Sequence, residues 1–186
     1  MIKMTHKLFL KFSEKQEFLD AEIREKHDIS SDEWLEKLDI NHKLALRGEV
    51  AEFNNEARDL WKYWKMKKPE MDKLIDEAVD IIHFIHLMMN KRQFDLNWKV
   101  AYLNKRIEHF RALTIRGPHE KTFEKIEPDY RKYLNYMYNV DTNEDLIDTY
   151  AILLVVLDYY NFTLEDIETA YDTKHKLNRL RQESNY

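Results

Sequence analysis

The chain has no cysteine, and only two glycines and three prolines in 186 residues. Without cysteine there is no disulfide framework, no thiolate nucleophile and no zinc–thiolate site. So little glycine and proline leaves few turns for hairpins or sandwiches and favours long helices. A Gly-rich phosphate loop, an internal repeat and a low-complexity segment are all missing. The longest apolar run, Ala151 to Leu157, is too short to span a bilayer. The opening MIKMTHKLFLKFSEKQEF holds no apolar stretch of signal-peptide length. A soluble cytoplasmic protein without a membrane partner is the expectation. A formal net charge of -5 gives no electrostatic reason to expect nucleic acid as a partner.

What is present is charge and aromatic surface. Charged residues reach 35%, and four Trp with eleven Tyr argue against disorder. The length suits one domain, residues 1–186, with room for a real core. The spacing predicts a helix from Lys7 to Lys26, then a short one through Leu38 with Ser30 and Glu33 as a capping box. A long helix follows Asp39 and runs to about Lys65, and another opens at Glu70 and ends near Arg92. Asn97 to Ile115 reads as a helix, Arg116 to Pro128 as an exposed loop, and Asp129 to Tyr138 as a short aromatic helix. Asn143 to Tyr160 is apolar on most sides, hence central in a bundle or at a subunit interface. Thr163 caps the last helix with Asp166 three residues on, and Phe162 can staple against Ile167.

Two of these helices carry acidic pairs, Glu49-x-x-Glu52 and Glu77-x-x-Asp80. At about 100° per residue the members of each pair lie roughly 60° apart, on one face. That face borders the apolar stripe in both cases: Leu46, Val50, Phe53, Ala57, Leu60 and Trp64 on the first helix, and Leu74, Ile81, Phe84, Ile85 and Met88 on the second. Carboxylates so close to a core are costly unless paired or metal-bound. Two such helices face to face would gather four carboxylates, tolerable only with protons or divalent cations between them. An oxygen-only set of this kind suits magnesium, which shares its coordination with substrate phosphates. The alternative is an ordinary solvated acidic face.

Other residues point the same way without deciding it. Gln16 and Asp20, one turn apart, can project together into a pocket or stand as two surface side chains. His83 follows Asp80 by three, either toward the same cleft or as a structural group. Trp61-Lys62-Tyr63-Trp64-Lys65 alternates rings for a base with cations for a phosphate. Lys174, Asn178 and Arg181 fall at i, i+4 and i+7, one face of ammonium, amide and guanidinium suited to a polyphosphate. The same residues also make a basic last turn that complements the helix dipole.

Taken together, the motifs resemble the all-α nucleoside triphosphate pyrophosphohydrolases, relatives of the MazG-like enzymes, and within them the dimeric dUTPase branch. The E-x-x-E then E-x-x-D pattern stands as Glu49/Glu52 and Glu77/Asp80. Asn55-Glu56-Ala-Arg58 with Lys62-Tyr63-Trp64, and Asp80-Ile-Ile-His83-Phe84, are similar to the stretches that follow the two pairs. The C-terminal K-x-x-x-N-x-x-R-Q-x-x-x-Y is present as Lys174, Asn178, Arg181, Gln182 and Tyr186. Gln16-x-x-x-Asp20 sits where the branch has its base-pocket motif, although relatives often carry Asn in place of Asp20, and Asn185 replaces a common Gly.

The resemblance implies a homodimeric helical bundle built around two carboxylate-bearing helices. It implies magnesium-dependent hydrolysis of dUTP to dUMP and pyrophosphate by water attack at the α-phosphate, with more than one ion per site. Glu49, Glu52, Glu77 and Asp80 would be metal ligands, with Glu49 also orienting the water. Lys62, Lys174, Asn178 and Arg181 would hold phosphates. Gln16, Asp20, Asn55, Trp64, His83 and Phe84 would form the base and sugar pocket, and each site would borrow residues from both subunits. A dCTP or broader base preference is the nearest alternative. A ferritin-like di-metal bundle needs Glu-x-x-His units that this chain lacks. A non-catalytic helical dimer or nucleotide-binding regulator is the rival of another class.

Overall fold

A computed structural model describes residues 1–65, 67–92, 95–116, 123–126 and 128–184. The helices are α1 (His6–Lys26), α2 (Asp39–Glu56), α3 (Met71–Lys91), α4 (Leu96–Arg111), α5 (Tyr130–Tyr136), α6 (Asn143–Tyr159) and α7 (Leu164–Glu183). This is the all-α bundle expected. A short π-helix, Glu33–Lys37, precedes α2, and a 3-10 turn, Arg58–Leu60, follows it. Local sequence explains the starts. Thr5 Oγ1 accepts from the Leu8 N–H and Asp95 Oδ1 from the Trp98 N–H. Thr142/Asp145 and Thr163/Asp166 form full capping boxes, each satisfying two backbone donors that the helix leaves open. Ser30 Oγ accepts from the Glu33 N–H at 3.2 Å.

The core is one continuous cluster. All residues of α6 from Leu146 to Leu157 are buried, so this helix is central within the chain itself. It packs on α4, α3 and α5, while α3 also receives α1, α2 and α7. Two polar groups on α6 are matched: Asp148 pairs with the Arg106 guanidinium, and the Tyr150 hydroxyl lies 3.3 Å from His86 Nε2. Phe162 and Ile167 both pack into this core.

Two expected boundaries are corrected. The first acidic helix stops at Glu56 and does not continue to Lys65. The Trp61 indole N–H takes the Asn54 carbonyl at 2.8 Å, an acceptor that a continuing helix would have used itself. The helix expected over Asn97–Ile115 ends at Arg111, and a two-stranded antiparallel ladder follows, Leu113–Arg116 (β1) with Phe123–Ile126 (β2). Thr114 and Ile115 are β-branched and precede Gly117-Pro118, a sequence that favours strand and turn over helix. Of the loop expected over Arg116–Pro128, residues 117–122 and 127 lie outside the described residues, as do Asn185 and Tyr186.

Candidate active site

The buried stripe of α2, Leu46, Val50 and Phe53, sets Glu49 and Glu52 at its margin. On α3, Leu74, Ala78 and Ile81 do the same for Glu77. Where the helices pack, Glu49, Glu52 and Glu77 each offer a carboxylate oxygen, all within 4.8 Å of one another. Burial, then the negative charge of neighbouring carboxylates, pushes Glu49 up to about 7 and Glu77 likewise to about 7. The Lys174 ammonium lowers both only in part, so the cluster is short of positive charge. Three half-buried or exposed oxygen donors with no sulfur or imidazole among them fit a hard divalent cation such as magnesium.

Asp80 stands beside this trio, close enough for its charge to act on Glu49 and Glu77, and is in contact with a lysine. Its Oδ2 lies 2.6 Å from Lys174 Nζ, which is also 2.8 Å from Asp76 Oδ2. Asp76 went unnoticed in the sequence, although it lies one helical turn before Asp80 on the same face. Burial works to lower the Lys174 pKa, but its bonds to Asp76 and Asp80 outweigh that and raise it, so the ammonium stays charged.

Beside this pair is a polar cavity of about 250 Å³, walled by α1, α3 and α7. It brings together Gln16, Asp20, Asp80, His83, Phe84, Asn178 and Arg181, joined by Gln182. Gln16 Nε2 donates to Asp20 Oδ1 at 2.7 Å. His83 Nδ1 is 2.6 Å from Gln16 Oε1 and, facing an acceptor, carries the proton. Burial, reinforced by His175 and Lys174, pulls His83 down to about 3, so the ring is neutral. It stacks on Tyr171 at 4.0 Å, and Tyr171 stacks on Phe12. Asp20 Oδ2 and His83 Nε2 are buried with no protein partner. Buried polar atoms without partners are costly, and here they belong to residues lining a cavity that can receive a ligand.

Asn55, Lys62 and Trp64 are not brought to that cavity. Among the described residues its walls do not include them. Lys62 Nζ donates to Asn55 Oδ1 at 2.9 Å and lies over the Trp61 ring. Trp64 is 62% exposed and meets Trp61 and Tyr63 edge-on. The early stop of α2 is what carries this turn away. A larger open groove on the other side of α1, lined by Trp34, Lys91 and Lys99 among others, contains none of the residues predicted for the site.

A family model described as dUTPase matches residues 8–186. No curated protein and no solved structure matches the chain. The match takes in both acidic helices, the buried Gln16–Asp20–His83 cavity and the cationic face of α7, and the chain belongs to the all-α dUTPase family, as a nucleoside triphosphate pyrophosphohydrolase that acts on dUTP.

Proposed function

We propose that the chain hydrolyses dUTP to dUMP and pyrophosphate with magnesium, by water attack at the α-phosphate. The observation that carries this is the trio Glu49, Glu52 and Glu77 within 4.8 Å, next to a buried polar cavity bordered by Asn178 and Arg181. Glu49, Glu52, Glu77 and, once released from Lys174, Asp80 would hold the magnesium ions. Bound there, magnesium supplies Lewis-acid neutralisation of the triphosphate and lowers the pKa of a water. Glu49, half-buried between the other carboxylates, orients that water and takes its proton. Lys174, Asn178 and Arg181 engage the phosphates. Gln16, Asp20, His83 and Phe84 enclose the base and sugar.

The chain works as one domain and as a homodimer in the cytoplasm. Asn55, Lys62 and Trp64 stand exposed or half-exposed, away from their own cavity, and act across the dimer on the partner's site. No described helix is long and apolar enough to cross a membrane. The net charge of -5 gives no electrostatic reason to expect nucleic acid as a partner.

One observation favours a wider base range. Once Asp20 is ionised, above about pH 7, its unpartnered Oδ2 is an acceptor that suits the N3–H of uracil and equally the amino group of cytosine, so dCTP is a second substrate under this reading. The test is pyrophosphate release from dUTP, dCTP, dTTP and dATP with magnesium and with EDTA. Release from dUTP in magnesium alone supports the proposal. Orthophosphate without pyrophosphate, or turnover in EDTA, contradicts it.

A further inference from the structure

Of the four carboxylates the sequence groups together, Glu49, Glu52 and Glu77 converge within 4.8 Å, and Asp80, near enough for its charge to act on Glu49 and Glu77, is in direct contact with a lysine. The Lys174 ammonium, on a side chain only 8% exposed, sits between Asp80 and Asp76 at 2.6 and 2.8 Å. Asp76 and Asp80 are one turn apart on α3, so a single cation from α7 satisfies both. Two kinds of cation seat therefore lie side by side. The same ammonium acts on Glu49 and Glu77 only at a distance, whereas Asp80 holds it in direct contact, covalently tethered to α7. Lys174 shares its helix with Asn178 and Arg181, which line the adjoining cavity.

We propose that Lys174 is a built-in counter-cation that keeps Asp80 from divalent ions until a triphosphate draws the ammonium away. Full metal loading then waits for the nucleotide. This rests on the magnesium reading of the acidic cluster. A polyphosphate beside α7 offers Lys174 more negative charge than the two carboxylates it leaves. Asp80, its side chain 15% exposed, then loses its partner, and an unpaired carboxylate away from water is strongly disfavoured, so it recruits another cation. By linkage, whatever affinity the nucleotide adds for metal at Asp80, metal at Asp80 adds for the nucleotide.

The test is Mn²⁺ binding followed by electron paramagnetic resonance on the whole chain, with and without α,β-imido-dUTP. Wild type is expected to take about one ion per chain alone and about two or more with the analogue. Lys174→Met is expected to reach the higher number without the analogue, and to gain a larger magnesium-induced rise in Tm than wild type. Lys174→Arg, which keeps the cation, retains the wild-type pattern. Wild type fully loaded without nucleotide, or Lys174→Met indistinguishable from it, overturns the proposal and leaves the magnesium reading standing. No Mn²⁺ binding in either condition overturns both.

Discussion

Asp20 is 1% exposed, and burial holds its carboxyl up at about 7, against a small opposing pull from the Gln16 hydrogen bond. Its value in the unfolded chain is about 3.9. Between those values the folded state keeps a proton that the unfolded state releases, so this group's contribution to stability falls as pH rises from about 4 to about 7. Above that it stays at the lower level. At about 1.4 kcal/mol per pH unit the full effect is on the order of 4 kcal/mol. Asp20→Asn should therefore be more stable than wild type at pH 8 and nearly equal to it at pH 4. Denaturant melts at the two pH values check this, and an equal difference at both would count against it.

At the same scale, Glu49→Gln and Glu77→Gln should abolish turnover, a loss of at least about a hundredfold, with the helical circular dichroism unchanged. Full activity in either variant would remove the carboxylate cluster from the chemistry. Not every site residue was equally visible in the sequence. The trio was legible because acidic pairs edging apolar stripes are costly without a partner. Asp76 was not, because a carboxylate on an exposed helix face carries no mark of the lysine that a distant helix brings to it. Likewise, nothing in the sequence marks Tyr171, and only packing shows that it stacks on His83.

Elements were more legible than their ends. Periodicity placed every helix, and the Thr163/Asp166 box fixed the start of α7. Thr163→Ala should cost about 1 kcal/mol of stability by removing that cap, read as a lower denaturant midpoint at unchanged slope. The end of α2 was not legible. Its pattern continues through Leu60 and Trp64, but the Trp61 indole takes the Asn54 carbonyl and the apolar stripe ends at Ala57. That side-chain-to-backbone bond is invisible to a hydrophobic period. Beyond it, Trp64 and Tyr63 stand as exposed rings. Trp64→Ala should leave the stability within about 0.5 kcal/mol of wild type while raising KM for dUTP. A large loss of stability with KM unchanged would make the turn structural instead.

The whole molecule places a partly exposed acidic cluster and a half-open cavity on the two sides of the Lys174 bridge. α3 is the element common to all three: it contributes Glu77 to the cluster, Asp76 and Asp80 to the bridge, and His83 and Phe84 to the cavity. On the proposed function, base recognition and bond cleavage are set roughly one to two helical turns apart along α3. Water near the carboxylates would then meet the phosphate nearest the sugar. The most direct test is hydrolysis of dUTP in ¹⁸O-labelled water with magnesium, with the products weighed by mass spectrometry. Attack at the α-phosphate predicts the label in dUMP and none in pyrophosphate. Label in pyrophosphate would place the attack at the β-phosphate and contradict the account.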